Sequence, residues 1–82
     1  MVIFKYRDFV LTELARHGIK PGDDTPPELV REYINDLYVY EIRALRKRQR
    51  AGLVPMRDYA GLVKDLRSRY PILSLPVKHW IE

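Results

Sequence analysis

The sequence predicts an all-α protein, a compact three-helix bundle with a long central second helix and an irregular C-terminal tail that contains prolines. Apolar residues recur at the three- and four-residue spacing of a helix face in three segments, and glycine or proline separates these segments. The chain has 82 residues, 46% of them hydrophobic and 32% charged, which is typical of one globular domain. We expect a single helical domain over residues 1–82, with helices at about 5–17, 26–50 and 55–70 and a tail at 71–82.

The first predicted helix carries apolar residues four positions apart, Tyr6, Val10 and Leu14. It ends in the sequence ARHGI, where Gly18 suits the left-handed backbone conformation that closes many helices. Ile19 then stands where a Schellman motif places an apolar contact with Leu14. Residues 1–4 fit either a first helical turn or a short extended arm, and the sequence does not decide between them.

The second predicted helix has the strongest local start signal in the chain. Thr25 can cap the helix, Pro26 suits its first turn, and Glu28 stands three residues after Thr25, as a capping box requires. The helical pattern then continues without a breaker to Arg50, and Gly52 ends it. At about 1.5 Å per residue this helix is about 37 Å long, which is long for so small a domain.

Apolar side chains cover more than half of the circumference of this second helix. A surface helix needs only one apolar stripe, so we expect neighbours on two sides. The first helix is expected against its N-terminal half, and the third helix antiparallel to its C-terminal half. The residues of the arc are Leu29, Val30, Tyr33, Ile34, Leu37, Tyr38, Tyr40, Ile42, Ala44 and Leu45.

The third predicted helix and the tail both supply apolar residues to the core. Pro71 ends the helix, whose one face carries Tyr59, Leu62, Val63, Leu66 and Tyr70. We expect the tail to dock across the bundle, because its large apolar side chains need to leave water. If the tail were free instead, its candidate partner contacts would be Leu75, Val77 and Trp80.

Several classes of function lack the residues they need. The chain has no cysteine, which excludes disulfides, thiolate nucleophiles and cysteine-based metal sites. His17 and His79 are the only histidines, and no spacing of zinc ligands accompanies them. No glycine-rich phosphate loop occurs, so we expect no cofactor, no metal and no small-molecule ligand.

No segment has the roughly 20 consecutive apolar residues of a membrane-spanning helix. Charge at Lys5, Arg7 and Asp8 interrupts the start before the apolar core of a signal peptide. We therefore expect no membrane span and a cytoplasmic location.

Positive charge is concentrated in the second half of the chain. Residues 1–41 hold 5 basic and 8 acidic side chains, whereas residues 42–82 hold 10 and 3. The run RALRKRQRAG closes the second helix, where cations complement the helix dipole, so a solvated surface explains much of it. Alternatively, the basic end of this helix contacts an anion or nucleic acid. The candidate contact residues are Arg43, Arg46 and Arg50, together with Arg57 across the turn.

Glu41 interrupts the apolar arc of the second helix and therefore needs a polar partner. We predict a buried structural ion pair with Arg48, two turns further on, or with Arg69 at the end of the third helix. One carboxylate without a nucleophile, second acid or metal is not a mechanism, so we do not expect an enzyme.

Six tyrosines and many arginines favour an interaction surface, because both residue types are enriched at protein interfaces. We predict a small non-catalytic protein-protein interaction module, with a homo-oligomer as its simplest form. The alternative is a nucleic-acid-binding protein that uses the basic end of the second helix.

Overall fold

A computed structural model of the chain describes residues 2–82. Its three helices are α1 (Asp8–Arg16), α2 (Pro27–Arg50) and α3 (Met56–Ser68). Two short 3₁₀ turns follow, at Pro71–Ser74 and Val77–His79. The prediction of an all-α, three-helix protein with a long second helix and an irregular tail is therefore confirmed.

Helix α1 begins three residues later than predicted, because the preceding backbone pairs with the C-terminal segment. Tyr6 and Ile81 form an antiparallel bridge. The Arg7 N–H donates to the carbonyl of Trp80 at 2.9 Å, and the Glu82 N–H donates to the carbonyl of Lys5 at 2.8 Å. A backbone held in this pairing cannot also make helical hydrogen bonds.

The segment before Tyr6 is not helical over residues 2–5, and Met1 lies outside the described residues. The Phe4 N–H donates to the carbonyl of Asp23 at 2.7 Å, which ties this arm to the loop between α1 and α2. Of the two interpretations left open by the sequence, the structure therefore supports an arm rather than a helical turn at residues 2–4.

Helices α1 and α2 both end at a glycine, as predicted. Gly18 has φ +75°, its N–H donates to Ala15, and the Ile19 N–H donates to the carbonyl of Leu14 at 3.0 Å, which is a Schellman motif. Gly52, with φ +81°, closes α2 in the same way. Side chains with a Cβ rarely adopt such angles, so each position favours glycine.

The predicted capping box at Thr25 is wrong, and α2 begins one residue later, at Pro27. The residue before a proline is pushed out of the helical region, and Pro26 accordingly has φ −62° and ψ 135°. Thr25 is then too far from the helix to cap it. Its hydroxyl accepts the Gly22 N–H at 3.0 Å, and its carbonyl accepts the Tyr6 hydroxyl at 2.6 Å.

The hydrophobic core occupies one end of an elongated molecule of 51 × 18 × 17 Å. The tail lies within this core, since its first 3₁₀ turn contacts both α1 and α2. No residue between 43 and 65 belongs to the central cluster of buried side chains. That cluster consists of Tyr6, Val10, Leu14, Val30, Ile34, Leu66, Tyr70, Ile72 and Trp80.

The prediction that neighbours cover α2 on two sides is wrong for the face opposite its buried residues. Leu29 and Tyr33 are more than half exposed, and Tyr40 is 73% exposed. The reason is that α3 and the tail both pack on the side of α2 that carries Val30 and Ile34. The opposite side of α2 is left to solvent.

Candidate functional site

Residues 43–62 form a projection that we call the hairpin end. It comprises the last two turns of α2, the connection at residues 51–55, which contains Gly52, and the first half of α3. Pro55 precedes α3 with φ −60° and ψ 145°, a geometry that suits the residue before a helix and turns the chain back. The hairpin end exists because α2 has 24 residues and α3 only 13, and the core lies at the other end of both.

The four arginines predicted as anion contacts all lie at the surface of the hairpin end, at Arg43, Arg46, Arg50 and Arg57. None of them forms an ion pair with a residue of the described chain, residues 2–82. Residues 43–62 hold six cations and one carboxylate, Asp58. The hairpin end therefore carries a positive field that attracts anionic groups of a partner.

Large apolar side chains are exposed among these cations. Leu53 is 72% exposed and Met56 is 68% exposed, and both flank the turn between the helices. Leu62 is also exposed, further along α3. The exposure of Leu53 and Met56 was not predicted from the sequence, although the unequal predicted lengths of the second and third helices were a usable signal.

A shallow groove of about 270 Å³ between α2 and α3 continues this surface toward the core. Its apolar lining comes from Ala44, Leu45, Leu62 and Leu66. The groove is also lined by Tyr40, by the cations Arg48 and Arg69, and by Glu41, whose carboxylate accepts a hydrogen bond from Tyr70. An apolar floor beside cations fits an amphipathic segment with acidic side chains better than a neutral small molecule.

The predicted ion pair of Glu41 with Arg48 or Arg69 is wrong, since neither pair forms among the described residues. The hydroxyl of Tyr70 instead donates a hydrogen bond to Oε2 of Glu41. Tyr70 is buried beside the half-buried Glu41, whereas both arginines are exposed and remain hydrated. A neutral donor satisfies the carboxylate without the cost of desolvating a second charge.

The Glu41–Tyr70 pair belongs to a wider polar and aromatic cluster. The ring of His17 stacks on Tyr70 with centroids 4.4 Å apart, and Tyr38 meets Tyr70 edge-on at 5.3 Å. Nε2 of His17 lies 2.9 Å from the carbonyl oxygen of Arg69. The cluster therefore ties the end of α1 to α2 and to the end of α3, and we interpret it as structural.

Burial raises the pKa of Tyr70 to about 12, and the hydrogen bond to Glu41 and the charge of Glu41 act in the same direction. Arg69 opposes this shift. Burial also raises the pKa of Tyr6, with a contribution from the charge of Glu28. Both phenols are held protonated in the folded state well above neutral pH, which favours a structural rather than a proton-transfer role.

We expect the folded state to lose stability as the pH rises from about 10 to about 12. The raised pKa of Tyr70 means that the folded state retains a proton that the unfolded state has already lost. Stability from this group is thus fully present below pH 10 and declines above it. Urea titrations at intervals from pH 8 to 12 should show a smaller decline for Tyr70→Phe than for wild type. An equal decline in both proteins would contradict the assignment, and Tyr40→Phe, at an exposed position, is the control.

The tail residues considered as partner contacts contribute to the core instead. Trp80 is fully buried, at 0% exposure, and its indole N–H donates to the carbonyl of Leu75 at 3.0 Å. Leu75 and Val77 pack partly buried against the central cluster. The structure thus confirms that the tail docks, and it leaves Trp80 no accessible surface for a partner.

Within residues 2–82, no group of three or more histidine or acidic side chains is placed to hold a metal ion. Over the same residues, no helix is long and apolar enough to cross a bilayer. Comparisons with protein families, with curated proteins and with solved structures find no match to this chain.

Proposed function

We propose that this protein is a non-catalytic protein-protein interaction module whose hairpin end binds an acidic, amphipathic segment of a partner protein. The observation that carries the proposal is the exposure of Leu53 and Met56 at a turn surrounded by arginines that have no acidic partner among the described residues. Burial of each apolar side chain by a partner is worth about 1.5 to 3 kcal/mol. The cations add steering and orientation more than affinity.

The groove between α2 and α3 supports the same partner chemistry. An amphipathic helix with apolar residues on one side and acidic residues at its edges matches the apolar floor of Leu45, Leu62 and Leu66. Arg48 and Arg69, which also line the groove, supply cations for the acidic edges. Tyrosine, methionine and arginine together are typical of interfaces between proteins.

Nucleic-acid binding is the second candidate, and one observation favours it. Arg43, Arg46 and Arg50 are all exposed along α2, with Arg57 exposed across the turn, so several phosphates can be contacted at once. Phosphates gain nothing from the exposed Leu53 and Met56, however. Substitutions of these two apolar residues therefore distinguish the two candidates.

The test uses the double variant Leu53→Ser/Met56→Ser and fluorescence anisotropy. One probe is a labelled synthetic helical peptide with leucine on one face and glutamate on the other, and the second is a labelled 20-nucleotide DNA, single-stranded or duplex. We expect the wild-type chain to bind the peptide, and the double variant to bind it at least about tenfold more weakly, since two buried side chains are lost.

Val2→Ser/Ile3→Ser is the matched control, because Val2 and Ile3 are equally exposed but lie in the N-terminal arm. It is expected to bind the peptide like wild type. Binding to DNA that falls steeply with salt, drops when Arg43, Arg46 and Arg50 become alanine, and ignores the apolar variant would favour the second candidate. Peptide binding that ignores the apolar variant would contradict the proposal.

A further inference from the structure

The solvent-facing side of α2 carries a second unpartnered surface, which runs nearly the whole length of the helix. Its members are spaced alternately four and three residues apart, the spacing of a coiled-coil seam. All of them are exposed. We call this surface the α2 seam, and it consists of Leu29, Tyr33, Asp36, Tyr40, Arg43, Lys47 and Arg50.

The α2 seam is a continuous face of the helix with three aligned large side chains. It lies opposite the face of α2 that buries Val30, Ile34 and Leu45, so it plays no part in the core. Leu29, Tyr33 and Tyr40 align three large side chains on it, whereas surface apolar residues that need no explanation are scattered singly. Such an aligned set is typical of a face that packs against another helix.

The charges of the seam favour one orientation for a second copy of α2. Its N-terminal half has the carboxylate of Asp36, and its C-terminal half has the cations Arg43, Lys47 and Arg50. A second α2 laid antiparallel reverses this order, so that Asp36 of each copy faces the cationic half of the other. A parallel α2 would instead place Asp36 against Asp36 and Lys47 against Lys47, which is repulsive.

We infer that the α2 seam binds a second copy of this chain, antiparallel, to form a two-fold symmetric dimer. In the register that places Tyr40 opposite Arg43 of the second copy, Asp36 faces Lys47 and Tyr33 faces Arg50. Each of these contacts occurs twice by symmetry. The tyrosine rings stack against guanidinium groups, and the carboxylate pairs with the ammonium.

The inference deepens the proposed function, because it makes a second copy the partner of one of the two interaction surfaces. The seam shares Arg43, Lys47 and Arg50 with the hairpin end, but Leu53 and Met56 lie in and after the turn beyond α2, outside the seam. Substitution of Leu53 and Met56 in the peptide experiment therefore tests the hairpin end separately from the dimer. If no dimer forms, the proposed binding at the hairpin end is still tested by the variant Leu53→Ser/Met56→Ser.

The test is a charge reversal measured by sedimentation equilibrium. Asp36→Lys places lysine against Lys47 of the second copy, and Lys47→Asp places aspartate against Asp36, so each variant alone should self-associate at least about tenfold more weakly than wild type. Mixing the two variants restores both ion pairs in a heterodimer, so the mixture should associate as tightly as wild type. The double variant Asp36→Lys/Lys47→Asp should also regain wild-type association.

A contact between positions 36 and 47 of the same chain does not explain this restored association, since 11 residues of helix separate the two positions by about 16 Å. A parallel dimer also fails to explain it, because in that arrangement neither single variant is worse than wild type. Asp65→Lys and Lys64→Asp, at exposed positions of α3, make the same charge changes away from the seam and should leave association unchanged.

Three results would each overturn the inference. The first is a wild-type chain that stays monomeric up to about 1 mM, since weaker association lies outside the range of specific complexes. The second is a pair of single variants that associate like wild type, or that fail to associate when mixed. The third is a wild-type dimer that strengthens between 50 and 500 mM NaCl, because salt screens the ion pairs of an exposed seam.

Discussion

Replacement of Trp80 by alanine is expected to lower the free energy of unfolding by about 3 to 5 kcal/mol. Trp80 is fully buried, and its indole N–H is hydrogen-bonded to Leu75. Its carbonyl also accepts the Arg7 N–H, so the same residue anchors the pairing of the two terminal segments. Small domains have about 5 to 15 kcal/mol of stability in total, so this single change brings the chain close to unfolding at 37 °C.

Urea denaturation followed by circular dichroism at 222 nm measures this loss. Tryptophan fluorescence cannot be used, because Trp80 is the only tryptophan. His79→Ala is the matched control, since His79 is the exposed neighbour of Trp80, and it should change stability by no more than about 0.5 kcal/mol. A loss below about 1 kcal/mol for Trp80→Ala would show that the tail is not part of the cooperative core.

Ile34→Ala is expected to cost about 2 to 5 kcal/mol, the second largest effect of a single substitution considered for this protein. Ile34 is fully buried at the middle of the core, where α2 meets side chains from α1, α3 and the tail. Alanine would leave a cavity that three neighbouring elements cannot all relax to fill.

The matched comparison is Leu29→Ala on the same helix, where the side chain is 58% exposed. At a concentration where the chain is monomeric, this variant should lie within about 0.5 kcal/mol of wild type. Thermal or urea unfolding of both variants tests the expectation. Equal losses at Ile34 and Leu29 would contradict the assignment of one buried and one exposed face to α2.

The position of the candidate surface was partly predictable from the sequence. The concentration of cations near the end of the second helix and the excess length of this helix are both visible in the chain. Exposure of Arg43 or Arg57 follows from the low hydrophobicity of arginine. The exposure of Tyr40 was not predictable, because an apolar residue is buried or exposed according to which elements cover it.

The need of Glu41 for a partner was predictable from the helix, whereas the identity of that partner was not. Its direction on the helix predicted that it needed a partner, and it has one. The choice of Tyr70 over Arg48 or Arg69 depended on where the end of α3 meets α2, a geometry set by packing between elements 29 residues apart in the chain. Spacing along one helix carries no information about that distance.

The sequence by itself determined the number of helices, the ends of α1 and α2 at Gly18 and Gly52, and the need for the tail to dock. These features depend on backbone conformation and hydrophobic spacing within a few residues, which neighbouring residues dictate. Only the tertiary structure decided the start of α1, where the backbone around Tyr6 pairs with Ile81 instead of forming helix. It also decided which face of α2 stays in water, because that depends on where distant segments pack against the helix.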